Sequence, residues 1–202
     1  MKVRPLGIEG AFELTPRLFA DHRGLFYEGY RADVMADHLG YRPRVAQTNV
    51  SVSERGVLRG IHFADVPPSQ AKYVMVATGA LLDYIVDLRV GSPTFGRWES
   101  VQLDTESRRA IYVPEGVGHA FVALADRTTA IYLVTAVYDP EREHGVHPLD
   151  PDIGLRLPDG LDTPVLSDKD ATAPFLATAL ASGLLPTYEA CLAWTATQAG
   201  KS

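Results

Sequence analysis

The chain has 202 residues, of which 46% are hydrophobic and 22% charged, and its formal net charge is −6. That length fits one domain with a true apolar core, and the composition excludes a disordered or fibrous chain. Net negative charge disfavours non-specific binding to nucleic acid or to an anionic membrane, though a local arginine cluster can still hold an anionic small molecule. The single cysteine, Cys191, excludes an intrachain disulfide and a paired-cysteine zinc site. The opening MKVRPLGIEG carries no apolar signal core, and no run of about 18 apolar residues occurs, so the expectation is a cytoplasmic protein with no membrane contact.

In chain order, the first residues mix short apolar pieces with charge. Residues 31–40 (RADVMADHLG) predict a helix, with Val34, Met35 and Leu39 on one side and Gly40 as its stop. From about 45 to 138 the period changes to two. VAQTNVSVS (45–53), VLRGIHF (57–63), YVMVATG (73–79), LLDYIVDLRV (81–90), WESVQL (98–103), AIYVP (110–114), AFVAL (120–124) and AIYLVTAVY (130–138) are Val/Ile/Tyr-rich runs separated by turn residues. The expected fold is mainly β, an antiparallel sandwich or barrel. Alternation sets Gln47, Asn49, Arg59, Lys72, Asp83, Asp87 and Tyr132 on interior or rim positions, where polar groups are costly unless they meet each other or a ligand. After 139, repeated prolines deny a regular element, and the segment is expected to wrap the barrel. ATAPFLATALASG (171–183) and PTYEACLAWTATQAG (186–200) read as two short helices, the first stopped by Gly183 with Phe175, Leu176, Ala179 and Leu180 as its apolar stripe. No linker calls for a second domain. The expectation is one unit over 1–202, with its barrel at about 45–138 and a helical tail at about 171–200.

Several residues carry possible chemistry, each beside a plainer reading. His62 in RGIHF suits proton exchange near neutral pH, or a histidine merely hydrogen-bonded in a barrel mouth. His119 follows a Gly/Pro turn in PEGVGHAF and reads equally as structural or ligand-contacting. His22, His38, His144 and His147 lie in polar contexts that suggest the surface. Pro114-x-Gly116-x-x-His119 resembles the second motif of metal-binding cupins, but His62 stands without the second histidine and the glutamate of the first motif. The ligand set is incomplete, so no metal is expected. Glycine-rich nucleotide-cofactor fingerprints and a serine nucleophile elbow are absent, so no cofactor is expected. Arg23, Arg59 and Lys72 also fit solvated charges, Asp21 to Gly24 fits a charged turn, and Asp170 fits the cap of a C-terminal helix.

Taken in order, DxRGxFxE (21–28), QxNxSxS (47–53), GVLRGIHF (56–63), QAKYV (70–74), DLRVGSPTFGRW (87–98), IYVPEGVGHAF (111–121), YDPEREHGVHPLDP (138–151) and LSDKDA (166–171) resemble the dTDP-4-dehydrorhamnose 3,5-epimerase family over nearly the whole chain. The resemblance implies a cupin-type jelly roll, a homodimer, no metal, and a dTDP-4-keto-6-deoxyhexose substrate whose C3 and C5 are inverted through an enolate. It implies His62 as base, Asp170 as the carboxylate that orients it, Tyr132 as acid on the other face, and Lys72 beside the carbonyl oxygen. Arg59 and His119 match positions lining the site. Arg23 matches a diphosphate contact. Phe26 and Glu28 fall in a stretch used near the nucleotide, partly across the dimer. Gln47 and Asn49 match site-lining positions, Tyr138 an aromatic against the base, and Glu143 and Lys169 further substrate contacts. The chain departs from the family at His119-Ala120-Phe121, where HGF is usual, and at Pro148-Leu149-Asp150-Pro151 and Leu157-Pro158. The bulk of Ala120 is expected to retune the site. Alternatives are a mono-epimerase, a dTDP-sugar ketoisomerase and a non-catalytic sugar-nucleotide-binding cupin.

Overall fold

The computed structural model describes residues 1–200. Two antiparallel sheets face each other. One holds six strands in the order β1 (Lys2–Pro5), β2 (Phe12–Thr15), β10 (Ala110–Val113), β7 (Lys72–Thr78), β12 (Thr128–Val134) and β5 (Gln47–Ser53). The other holds five, in the order β13 (Glu143–Gly145), β6 (Leu58–Ala64), β11 (Val117–Ala123), β8 (Ala80–Asp87) and β9 (Trp98–Asp104). This is the expected jelly roll. A separate hairpin of β3 (Leu18–Asp21) and β4 (Gly24–Tyr27) pairs with neither sheet. The helices are α1 (Ala32–Leu39), α2 (Asp168–Ala171), α3 (Leu176–Ala181) and α4 (Tyr188–Ala199).

Three apolar clusters order the layers. Val74, Val76, Ile85, Val101, Ile111 and Phe121 fill the space between the sheets, and Tyr132 packs against them. Leu58, Ile61, Phe63, Val122 and Val146 form a second cluster, with Leu176 and Ala179 of α3. Met35 of α1 packs with Tyr73 and Tyr112 in a third. β11 is buried at every position because it sends Val117 and Phe121 to the first cluster and Ala120 and Val122 to the second. Both faces of such a strand are covered, so apart from His119 its run is continuously apolar rather than alternating. β5 shows the opposite case: its inward residues are covered while Thr48, Val50 and Val52 stand in solvent.

The strands expected from about 45 to 138 are all present. The helix at 31–40 forms with Gly40 left-handed at its end, at φ 75°. The single helix expected over 171–183 is instead two short ones, because Pro174 lies between them. In α3 only Leu176 and Ala179 of the expected stripe are buried, and Phe175 sits at its N-cap. Asp87, expected at an interior or rim position, anchors a turn. Its carboxylate accepts from Arg89 Nε at 2.9 Å, Ser92 Oγ at 2.5 Å and Thr94 Oγ1 at 2.6 Å. Among the described residues no helix is long and apolar enough to cross a membrane.

Candidate active site

His62 lies on β6, where the five-stranded sheet is locally irregular. Gly60 has φ 113°, and a Cβ there would come within 2.5 Å of the His119 carbonyl oxygen. Only glycine fits that close approach. The register between β6 and β11 shifts between His119 and Phe121, and His119 pairs with His62. His62 Nε2 stands 2.6 Å from Asp170 Oδ1, with the carboxylate nearly buried and the imidazole one-third exposed. Asp170 reaches it from the first turn of α2. It is not the helix cap: Ser167 is, its hydroxyl accepting the Asp170 N–H at 3.1 Å. Burial pushes the Asp170 carboxyl up, but the His62 hydrogen bond and charge, with help from Ser167 and Gly60, hold it below its ordinary value. Asp170 is therefore ionised and can only accept. His62 Nε2 must carry the hydrogen, which leaves Nδ1 as the basic atom of the neutral ring.

Tyr132, Lys72 and Asn49 come from the facing, six-stranded sheet. Burial raises the Tyr132 phenol above its ordinary value, so the phenol keeps its proton; a hydrogen bond from Ser51 works against that shift. The two hydroxyls are 3.1 Å apart. Lys72 is 8% exposed, and its Nζ lies 3.5 Å from the His62 carbonyl oxygen. Burial lowers its pKa, while Glu143 and Asp83 pull it back up. His119 Nε2 meets Asp83 Oδ2 at 2.8 Å in the interior. Burial raises Asp83 against the pull of His119 and Lys72, and its Oδ1 has no hydrogen-bond partner. Arg59 donates from Nε to Ser53 Oγ at 3.0 Å.

Asn49, Arg59, His62, Lys72, His119, Tyr132, Tyr138 and Glu143 line one cavity of about 200 Å³, with Gln70, Phe121 and Val134. Gln47 sits at its rim, donating to Asn49 Oδ1 at 2.5 Å and accepting the Tyr138 N–H at 3.0 Å. A larger cleft of about 930 Å³, beside α1 and α4, contains none of the expected site residues. Asp170 stands behind His62 without lining the 200 Å³ cavity, and Arg23, Phe26, Glu28 and Lys169 are not brought to it. Arg23 is tied to Asp21 at 2.6 Å on the hairpin turn, Phe26 is 64% exposed against Phe19, and Glu28 lies 3.5 Å from Arg31. Lys169 and Asp170 line a separate depression, with His144 and Pro174.

Ala120 does not face the cavity: its methyl group lies in the second apolar cluster, against Gly60, so it does not add bulk to the site as expected. His144 and His147, expected on the surface, are half-buried; His144 bonds to Asp65 at 2.8 Å and His147 packs on Phe175. Asp83 was expected on the interior but not as the partner of His119, and Ser51, in the alternating row of 45–53, was assigned no role. Their position in the alternation was the available signal. Among the described residues no three His, Cys, Asp or Glu side chains are grouped to hold a metal ion.

Residues 5–178 match the family model described as dTDP-4-dehydrorhamnose 3,5-epimerase. The chain belongs to the dTDP-4-dehydrorhamnose 3,5-epimerase family. It is 55% identical over 96% of its length, and 93% of the relative's, to a dTDP-4-dehydrorhamnose 3-epimerase of Streptomyces niveus. It is 55% identical to a dTDP-4-dehydrorhamnose 3,5-epimerase of Streptomyces griseus, covering 95% of each chain. The solved rmlC epimerase of Mycobacterium tuberculosis superposes with a TM-score of 0.95 at 48% identity, covering 98% of this chain and 100% of that one. Like its family, the protein is an epimerase acting on dTDP-4-keto-6-deoxysugars.

Proposed function

We propose that the protein inverts both C3 and C5 of a dTDP-4-keto-6-deoxyhexose with the side chains of this one cavity. The observation that carries the reading is that His62 on one sheet, backed by Asp170 from α2, and the protonated Tyr132 phenol on the facing sheet both line it. In a 4-keto sugar the C3 and C5 hydrogens are acidified by the carbonyl between them. His62 Nδ1 takes one, and the C–H electrons pass into an enolate. Asp170 holds the ring in one tautomer and stabilises the imidazolium. The ammonium of Lys72 lies where it can meet the growing negative charge on the carbonyl oxygen. Tyr132 then gives its proton to the opposite face of the carbon, and solvent returns a proton to the phenol and takes one from His62. A sugar turned to offer its other α-carbon repeats the cycle.

Arg59, His119, Asn49 and Gln47 are assigned to the sugar and diphosphate, and Tyr138 and Glu143 at the mouth to the nucleoside. Arg23, Phe26 and Glu28 are assigned to the same ligand in a second copy of the chain. In support, their hairpin pairs with neither sheet and carries exposed Phe19 and Phe26. The active form is then a homodimer with two composite sites. Lys169 is left as a charge flanking the dyad. A charged nucleoside diphosphate does not cross a bilayer unaided, which fits a cytoplasmic location.

The test is proton NMR of dTDP-4-keto-6-deoxyglucose with the enzyme in deuterium oxide, with a 4-ketoreductase trapping the product. Loss of the C3 and C5 signals with an L-configured product is the expected outcome. Loss of one signal alone would confine inversion to that carbon, and no exchange would overturn the reading.

A further inference from the structure

β5 sends Gln47, Asn49, Ser51 and Ser53 inward, and three of the four have evident tasks. Gln47 holds Asn49 and the Tyr138 backbone, and Ser53 holds Arg59. The hydrogen bond given to Ser51 is the one to Tyr132 Oη, at 3.1 Å. We propose that Ser51 is a positioning residue for epimerisation: its hydroxyl aims the Tyr132 phenol, and it donates to the phenolate left once the proton has gone to carbon. The inference rests on Tyr132 being the acid.

The register explains how the pair meets. Tyr132 stands opposite Asn49, and Ser51 stands opposite Ala130. The contact is therefore diagonal, within reach of a long aromatic side chain. Ala130 is fully buried and small, which leaves space for the ring to lean along the strand. His119 and Phe121 hold the ring itself, at centroid distances of 5.9 Å and 6.2 Å. Neither directs the hydroxyl. Ser51 supplies that direction, and a serine hydroxyl both donates and accepts. It can donate to the phenol oxygen before transfer, which leaves the phenolic hydrogen free to point at the carbon, and to the phenolate afterwards without either backbone moving. Burial opposes an anion on Tyr132, so a donor at its oxygen favours proton delivery. The His62 step lies on the other sheet and is untouched.

The two half-reactions can be read separately. Enolate formed by His62 but reprotonated from the same face gives exchange with solvent without inversion. In Ser51→Ala, kcat for inversion is expected to fall about tenfold, the effect of losing one hydrogen bond to a developing charge. KM and the rate of deuterium wash-in at C3 and C5 should hold, so the exchange-to-inversion ratio rises. Ser51→Thr should restore inversion by keeping the hydroxyl. In a Tyr132→Phe background, Ser51→Ala should change nothing further. Equal loss of exchange and inversion, failure of threonine to rescue, or a full additional loss in the Tyr132→Phe background would each overturn the proposal. Normal inversion by Tyr132→Phe alone would overturn the assignment of the acid, and the role of Ser51 with it. Impaired inversion by Tyr132→Phe with an unchanged Ser51→Ala enzyme would remove Ser51 alone.

Discussion

Two ionisable side chains at the site have pKa values displaced in the same direction for different reasons, and the variants that test them diverge. Burial depresses Lys72. Its charged form is less favourable in the fold than in the unfolded chain, and that penalty is complete below the folded value. It fades as pH rises through the folded value to the unfolded one, about 10. Lys72→Met is therefore expected to lose turnover yet raise Tm at neutral pH. Calorimetry should show the gain shrinking towards pH 10. Asp170 is depressed by its partners in spite of burial. Its stabilisation is complete above the unfolded value of about 4 and is lost as pH falls through the folded one. Asp170→Asn should unfold at lower temperature than the parent at pH 7, and the gap should close in acid. His62→Ala should slow wash-in of solvent deuterium by at least about 10²-fold, with Asp170→Asn in between. Near-parental wash-in by His62→Ala would place the base elsewhere. Lys72 and Tyr132 were legible as polar residues on interior or rim positions, and His62 as a histidine suited either to proton exchange or to a plain hydrogen bond in a barrel mouth. Asp170 was not legible from local pattern, because 108 residues separate it from His62 and its neighbours read equally well as a helix start. Family resemblance supplied it.

The irregular elements around the dyad are as necessary as the dyad. Gly60 permits β6 to lie against β11, and Gly60→Ala places a methyl group against backbone that cannot move aside. A loss of about 2–3 kcal/mol in chemical denaturation is expected, together with loss of turnover as His62 shifts. Ser167→Ala removes the cap of α2, for about 1 kcal/mol, and frees the turn that carries Asp170. Its rate should fall more than its stability explains, and an unchanged rate would show that the turn holds without its cap. The strands from β5 to β12 were legible because period-two alternation and Gly/Pro turns mark them. β1 to β4 escaped because four residues stand out only as an unbroken apolar run such as the AIYV of β10, which KVRP, FELT and LFAD are not, and β3 and β4 are exposed on both faces. β13 has three residues and is set by pairing with β6, a contact no local sequence announces.

At the scale of the molecule, the hairpin is the part a single chain does not explain. Assigned to a second copy, it makes KM depend on assembly. Replacing Phe19 and Phe26 together with serine should yield monomers by light scattering and raise KM at least about tenfold, while the fold, by circular dichroism, stays intact. Monomers with parental KM would sink the composite site. The two walls of the cavity have a further consequence. Base and acid hang from different sheets, whose faces in such stacks lie about 10 Å apart. The hydrocarbon filling between them, with Val74, Val76 and Ile85, is thus a spacer as much as a core. Its volume sets how far a carbon atom must travel between the group that strips it and the group that restores it, so the methyl groups of the core are written into the rate.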